Sequence, residues 1–75
     1  MNLTQMKSGS RAVITGIRGG AGILRKLEIL GIRPGISIIK ISAQLMKGPV
    51  VIKIGNTQMA LGYGMAKRIE LEEAK

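Results

Sequence analysis

The segment Gly16 to Lys26 (GIRGGAGILRK) holds four glycines, with Arg18, Arg25 and Lys26 close by. Glycines running into a helix N-terminus form a natural anion cradle, because free backbone N–H groups point toward negative charge. The spacing nevertheless fits neither phosphate signature. A Walker-type loop needs GxxxxGK[ST], and no Lys-Ser or Lys-Thr pair follows these glycines; the dinucleotide fingerprint GxGxxG fails because Arg25 stands third after Gly22. A flexible connection between a strand and a helix is the simpler reading. Other chemistry is limited by inventory. The 75 residues contain no Cys, His or Asp, and their only carboxylate side chains are Glu28, Glu70, Glu72 and Glu73. Thiol and imidazole catalysis are thereby excluded, and neither the hard-cation nor the soft-cation donor set can be assembled, so no metal site, no cofactor and no enzyme activity are expected. The methionines Met1, Met6, Met46, Met59 and Met65 are scattered and suit gap filling.

Basic residues are the remaining candidates. Twelve Lys and Arg against four Glu give a net charge of +8, a field that favours encounter with acidic proteins, nucleic acid or anionic lipid. Base-stacking recognition is poorly served, since Tyr63 is the only aromatic residue. Lys40, Lys47 and Lys53 read as a solvated outer strand face. Ile29 stands out instead: helical geometry puts it on the face carrying Arg25 and Glu28, opposite the apolar stripe. An exposed Ile ringed by Arg25, Lys26 and Arg33, with Arg18 in the preceding loop, is a candidate patch for binding a partner protein.

The elements that must position these residues are short. Ala12–Ile17 is rich in β-branched residues and reads as a first strand. From Ile23 the period changes to a helical one, with Ile23, Leu24, Leu27 and Leu30 forming the inward stripe. Gly31 sits where a left-handed cap ends a helix, and Arg33-Pro34-Gly35 has the pattern of a type II turn. Ile36–Ala43 is a strand whose apolar phase slips between Ile38 and Ile39, which suggests a bulge or bend. Val50–Ile54, a tight Gly55-Asn56 turn, and Thr57–Leu61 make a hairpin. Gly62–Lys67 suits a single helical turn, and Ile69 and Leu71 alternate with Arg68, Glu70 and Glu72 as a last strand. Five short strands with one early helix predict a mainly β fold, a small bent barrel closing on itself to hide its edges. With 34 apolar residues, 12 of them Ile, one domain spanning residues 1–75 has enough material for a core without disulfides. The start of the chain lacks the apolar run of a signal peptide, and no stretch approaches a membrane span, so a soluble, cytoplasmic protein is expected.

The succession AVITGI, RKLEILGIRPG, GPVVIKI and QMALGYGMAKRIEL resembles the ferrous iron transport protein A family, FeoA. Leu27, Leu30, Gly31, Ile32, Pro34 and Gly35 are similar to its leucine-glycine helix end and turn. Gly48, Pro49 and Val50 are similar to its glycine-proline segment, and Ala60, Leu61, Ala66 and Ile69 to its C-terminal signature. The resemblance implies an SH3-like barrel acting in the cytosol with FeoB, the membrane iron permease that carries a GTP-binding domain. It implies a regulatory accessory protein of ferrous iron uptake, found at the inner membrane face when bound to that partner. The alternative is a small basic nucleic-acid-binding module of the same fold, in which the +8 charge is itself the function.

Overall fold

The computed structural model describes residues 1–43 and 47–73. Its elements run in the order β1 (Arg11–Ile17), α1 (Ala21–Ile29), β2 (Ser37–Ala43), β3 (Val50–Ile54), β4 (Thr57–Leu61), α2 (Tyr63–Ala66) and β5 (Ile69–Glu73). The strands form one antiparallel sheet in the order β4-β3-β2-β1-β5, the mainly β architecture with two short helices that the sequence predicts. Met46, expected as a gap filler, lies outside the described residues.

Turn chemistry places each element. Gly31 (φ +86°) follows α1 in the left-handed region; Gly31 N–H donates to Glu28 O and Ile32 N–H to Leu27 O, both at 2.9 Å. These two bonds make a Schellman motif, and its apolar contact comes from Leu27 and Ile32, both fully buried. The type II turn follows as expected, with Gly35 at φ +93° and Ile36 N–H bonded to Arg33 O. A two-residue Gly55-Asn56 connection joins β3 to β4.

Two register shifts bend the sheet, between Ile14 and Gly16 against β5, and between Lys40 and Ser42 against β3. The second lies later than the sequence pattern suggests. Ile38 and Lys40 share the inner face, while Ile39 is half-buried and Ile41 is exposed. The core formed on this face includes Ile14, Leu27, Ile32, Ile38, Ile52 and Ile69.

Lys40 corrects the expectation of a solvated lysine face. Lys47 is exposed and Lys53 half-buried, but Lys40 is only 3% exposed. Its ammonium donates to the carbonyls of Leu3 (3.1 Å), Thr4 (3.3 Å) and Met6 (2.5 Å), so three donors meet three acceptors. Those carbonyls are presented by a tight turn of the N-terminal segment, held by Thr4 N–H to Asn2 Oδ1 and Gln5 N–H to Asn2 O. Leu3 and Met6, three residues apart, drop into the core. The same segment covers the outer edge of β5: Asn2 bridges Glu70, Leu3 N–H bonds Ile69 O and Leu71 N–H bonds Met1 O. The ladders place β4 and β5 at opposite ends of the strand order. At the β5 end, the edge is hidden by the N-terminal segment and not by the strand-to-strand closure expected from sequence.

Burial holds the Lys40 ammonium below the ordinary lysine pKa. The unfolded chain therefore keeps this proton to higher pH than the folded one, and stability from this group rises with pH just below the ordinary lysine value. Lys40→Met, which leaves buried carbonyls without their donor, is expected to cost about 1–3 kcal/mol in urea denaturation and to speed amide exchange at Leu3. The gap between wild type and variant should widen as pH rises through that window. An unchanged Leu3 exchange rate would show that the segment is held without Lys40.

Candidate functional site

α1 is a nine-residue helix whose buried direction is set by two side chains, Leu27, fully buried, and Ile23, half-buried against the core. At about 100° per residue, Leu24 lies roughly 80° round from their mean direction, and Leu30 sits at the C-cap beyond the last turn. Both were expected inside. Leu24 is instead 39% exposed and Leu30 43% exposed, because so short a helix lays only one turn's width against a core this small. The inward stripe is narrower than its apolar sequence suggests.

Ile29 lies on the outer face and is 79% exposed. Arg25 is four residues before it and Lys26 three, the spacings that make neighbours on a helix surface, and both are exposed. Leu24 and Leu30 are also partly exposed, but at about 100° per residue they lie roughly 140° and 100° round from Ile29, on either flank of the helix. Arg33 follows the Schellman cap, exposed at the first position of the type II turn. The structure thus places Arg25, Lys26 and Ile29 on one helix surface, with Arg33 in the turn that leaves it. Glu28 is exposed on the same helix.

Arg18 is placed differently. It follows the last residue of β1, where its N–H donates to Arg68 O at 2.7 Å. Its Nε meets Glu70 Oε1 at 2.8 Å, and its side chain is mostly exposed. An exposed pair of this kind contributes at most about 1 kcal/mol; its effect is to direct Arg18 toward β5. The glycines that follow it lead into α1 with Gly20 as an N-cap that has no side chain to offer. Sequence reasoning missed Leu24 and Leu30 as surface residues, and the signal available was helix length: nine residues between a glycine loop and a Gly cap cannot bury a stripe 120° wide.

Among the described residues, no three His, Cys, Asp or Glu side chains come close enough together to hold a metal ion, and no helix is long and apolar enough to cross a membrane.

Comparison with known proteins gives a consistent set of matches. A family model described as the FeoA domain matches residues 1–73. A protein of Methanocaldococcus jannaschii named "Putative Fe(2+) transport protein A" is 32% identical over 69 residues, covering 92% of this chain and 82% of its own length. The crystal structure of an iron uptake regulatory protein (FeoA) superposes with a TM-score of 0.87 at 29% identity, covering 97% of this chain and 95% of that one. The zinc complex of Stenotrophomonas maltophilia FeoA, described as a prokaryotic SH3 domain protein, superposes with a TM-score of 0.80 at 24% identity, covering 96% and 89% of the two chains. The bent sheet is accordingly SH3-like.

The contrast between the two faces of α1 is measurable. Leu27→Ala is expected to destabilise the fold by about 2–5 kcal/mol, whereas Ile29→Ala should change it by no more than about 0.5 kcal/mol. Urea denaturation of both variants checks this, and a loss at Ile29 comparable to that at Leu27 would mean that its side chain is covered in solution.

Proposed function

The match over residues 1–73 places this chain in the FeoA family, and on that premise we propose that it serves ferrous iron uptake as a non-enzymatic interaction module docking on a FeoB-type membrane transporter. The observation that carries this reading is the 79% exposure of Ile29 on a face shared with Arg25 and Lys26. A lone exposed aliphatic side chain is ordinary. Here Arg25 and Lys26 stand at helix-neighbour spacing from it, so the apolar contact sits against a charged rim, the arrangement of an interface anchor.

Each part of the patch has a separate physical task. Arg25, Lys26 and Arg33 raise the positive potential on the approach side and speed encounter with an acidic partner surface. Ile29 supplies the desolvated contact that slows dissociation. A rigid Schellman cap and type II turn fix Arg33 relative to α1, so little ordering is required on binding. The module works at the cytoplasmic face of the membrane, where the transporter's GTP-binding domain is reachable. Iron is the transporter's cargo in this scheme, and this chain contributes contact and orientation.

Affinity for the detergent-solubilised transporter of the same genome, measured with and without nucleotide, tests the reading. Ile29→Asp is expected to weaken binding by a factor of about 30, while Arg25→Ala combined with Arg33→Ala mainly slows association. Wild-type binding should persist at physiological salt. Absence of transporter binding in every nucleotide state, together with RNA binding that falls log-linearly with salt, would replace this reading by the nucleic-acid one.

A further inference from the structure

A second group of cations gathers away from the outer face of α1. A depression of about 290 Å³ opens between the end of β1 and α2, lined by Arg18, Gly64, Lys67 and Arg68. Its walls are tied together through the backbone. Arg18 N–H bonds Arg68 O at 2.7 Å, and the end of α2 is closed by Lys67 N–H to Tyr63 O and Arg68 N–H to Met65 O, both at 3.0 Å. Three basic residues therefore line one concavity from fixed backbone positions.

Their charge is incompletely balanced. Glu70 pairs with Arg18 Nε at 2.8 Å and lies 3.8 Å from the N-terminal ammonium. Among the described residues, neither Lys67 nor Arg68 has a carboxylate within ion-pair distance. Like charges bordering a shared hollow repel one another, and a bound anion reverses the sign of that interaction. A phosphoryl dianion offers three acceptor oxygens to three cationic donors, whereas a carboxylate offers two oxygens and one charge. The depression lies at the lower end of small-ligand sites, which span about 300–1,000 Å³, so it suits a phosphate-bearing group and not a large cofactor.

The geometry points to a binding site for a phosphoryl group between β1 and α2, held by Lys67, Arg68 and Arg18, with Glu70 orienting Arg18 and competing for it. The site makes no use of Ile29 or of the transporter reading; Lys67 and Arg68 belong to it alone. Two sources carry the same chemistry, a soluble phosphorylated compound and the headgroup of an anionic lipid.

Backbone NMR shifts recorded during titration with pyrophosphate at physiological ionic strength test the site. Saturable shifts are expected at Arg18, Gly64, Lys67 and Arg68. Lys67→Ala with Arg68→Ala should weaken binding by about tenfold or more, whereas Arg25→Ala with Lys26→Ala, which removes the same charge elsewhere, should have a much smaller effect. Glu70→Gln should tighten binding by freeing Arg18. Sedimentation with phosphatidic acid vesicles against phosphatidylcholine vesicles separates the sources: retention lost in the Lys67/Arg68 variant assigns the group to a lipid, and binding of free pyrophosphate alone assigns it to a soluble ligand. The spectra themselves report whether each variant is folded. Shifts spread over all lysines, with equal weakening in the two double variants, would overturn the proposal.

Discussion

A lysine ammonium removed from water must be met by oxygen atoms, and Lys40 meets that requirement with the carbonyls of Leu3, Thr4 and Met6. Much of the molecule follows from this contact. The N-terminal turn that presents those carbonyls also inserts Leu3 and Met6 into the core and lies along the outer edge of β5. With that edge paired, β5 is held between β1 on one side and the N-terminal segment on the other. Glu70 on β5 then directs Arg18. A buried charge is weak support for stability in general, because desolvation opposes it. In this fold it specifies where the N-terminal segment must sit.

The second constraint is size. A chain of 75 residues leaves an inserted helix room to bury little more than one turn. α1 satisfies its C-terminal carbonyls through the Gly31 cap and its packing through Leu27 and Ile23. Its other aliphatic residues are left on the surface. Leu24, Ile29 and Leu30 add little to the stability of the isolated domain, and under the docking proposal a covering partner would account for the apolar character of Ile29. The basic residues around them fit the same account, since they favour encounter without entering the core.

Fold elements were legible in the sequence wherever a local rule decided them. Gly31, Pro34-Gly35 and Gly55-Asn56 announce their turns by backbone conformation alone, and the strands between them follow from β-branched content. Ile29 was legible as an outer-face residue from helical periodicity. What could not be read locally depended on distant partners. Lys40 lies in phase with Ile38 along β2, a hint of inward orientation, but the carbonyls that receive it are more than 30 residues away in sequence. The N-terminal segment carries an Asn2 cap and a Leu3/Met6 spacing that suit a packed turn, yet periodicity over so few residues carries little signal. Arg18 reads as part of a Gly-rich loop, and only β5 pairing brings Glu70 and Arg68 to it.

On the proposed reading, the outer face of α1 is the surface through which this FeoA-family chain meets a FeoB-type transporter. Amide hydrogen exchange of the chain, free and in saturated complex with a FeoB-type transporter, tests that claim most directly. Added protection concentrated at residues 24–33, with the β3–β4 hairpin unchanged, is the predicted result. Protection confined to β3 and β4, with residues 24–33 exchanging as in the free chain, would contradict it.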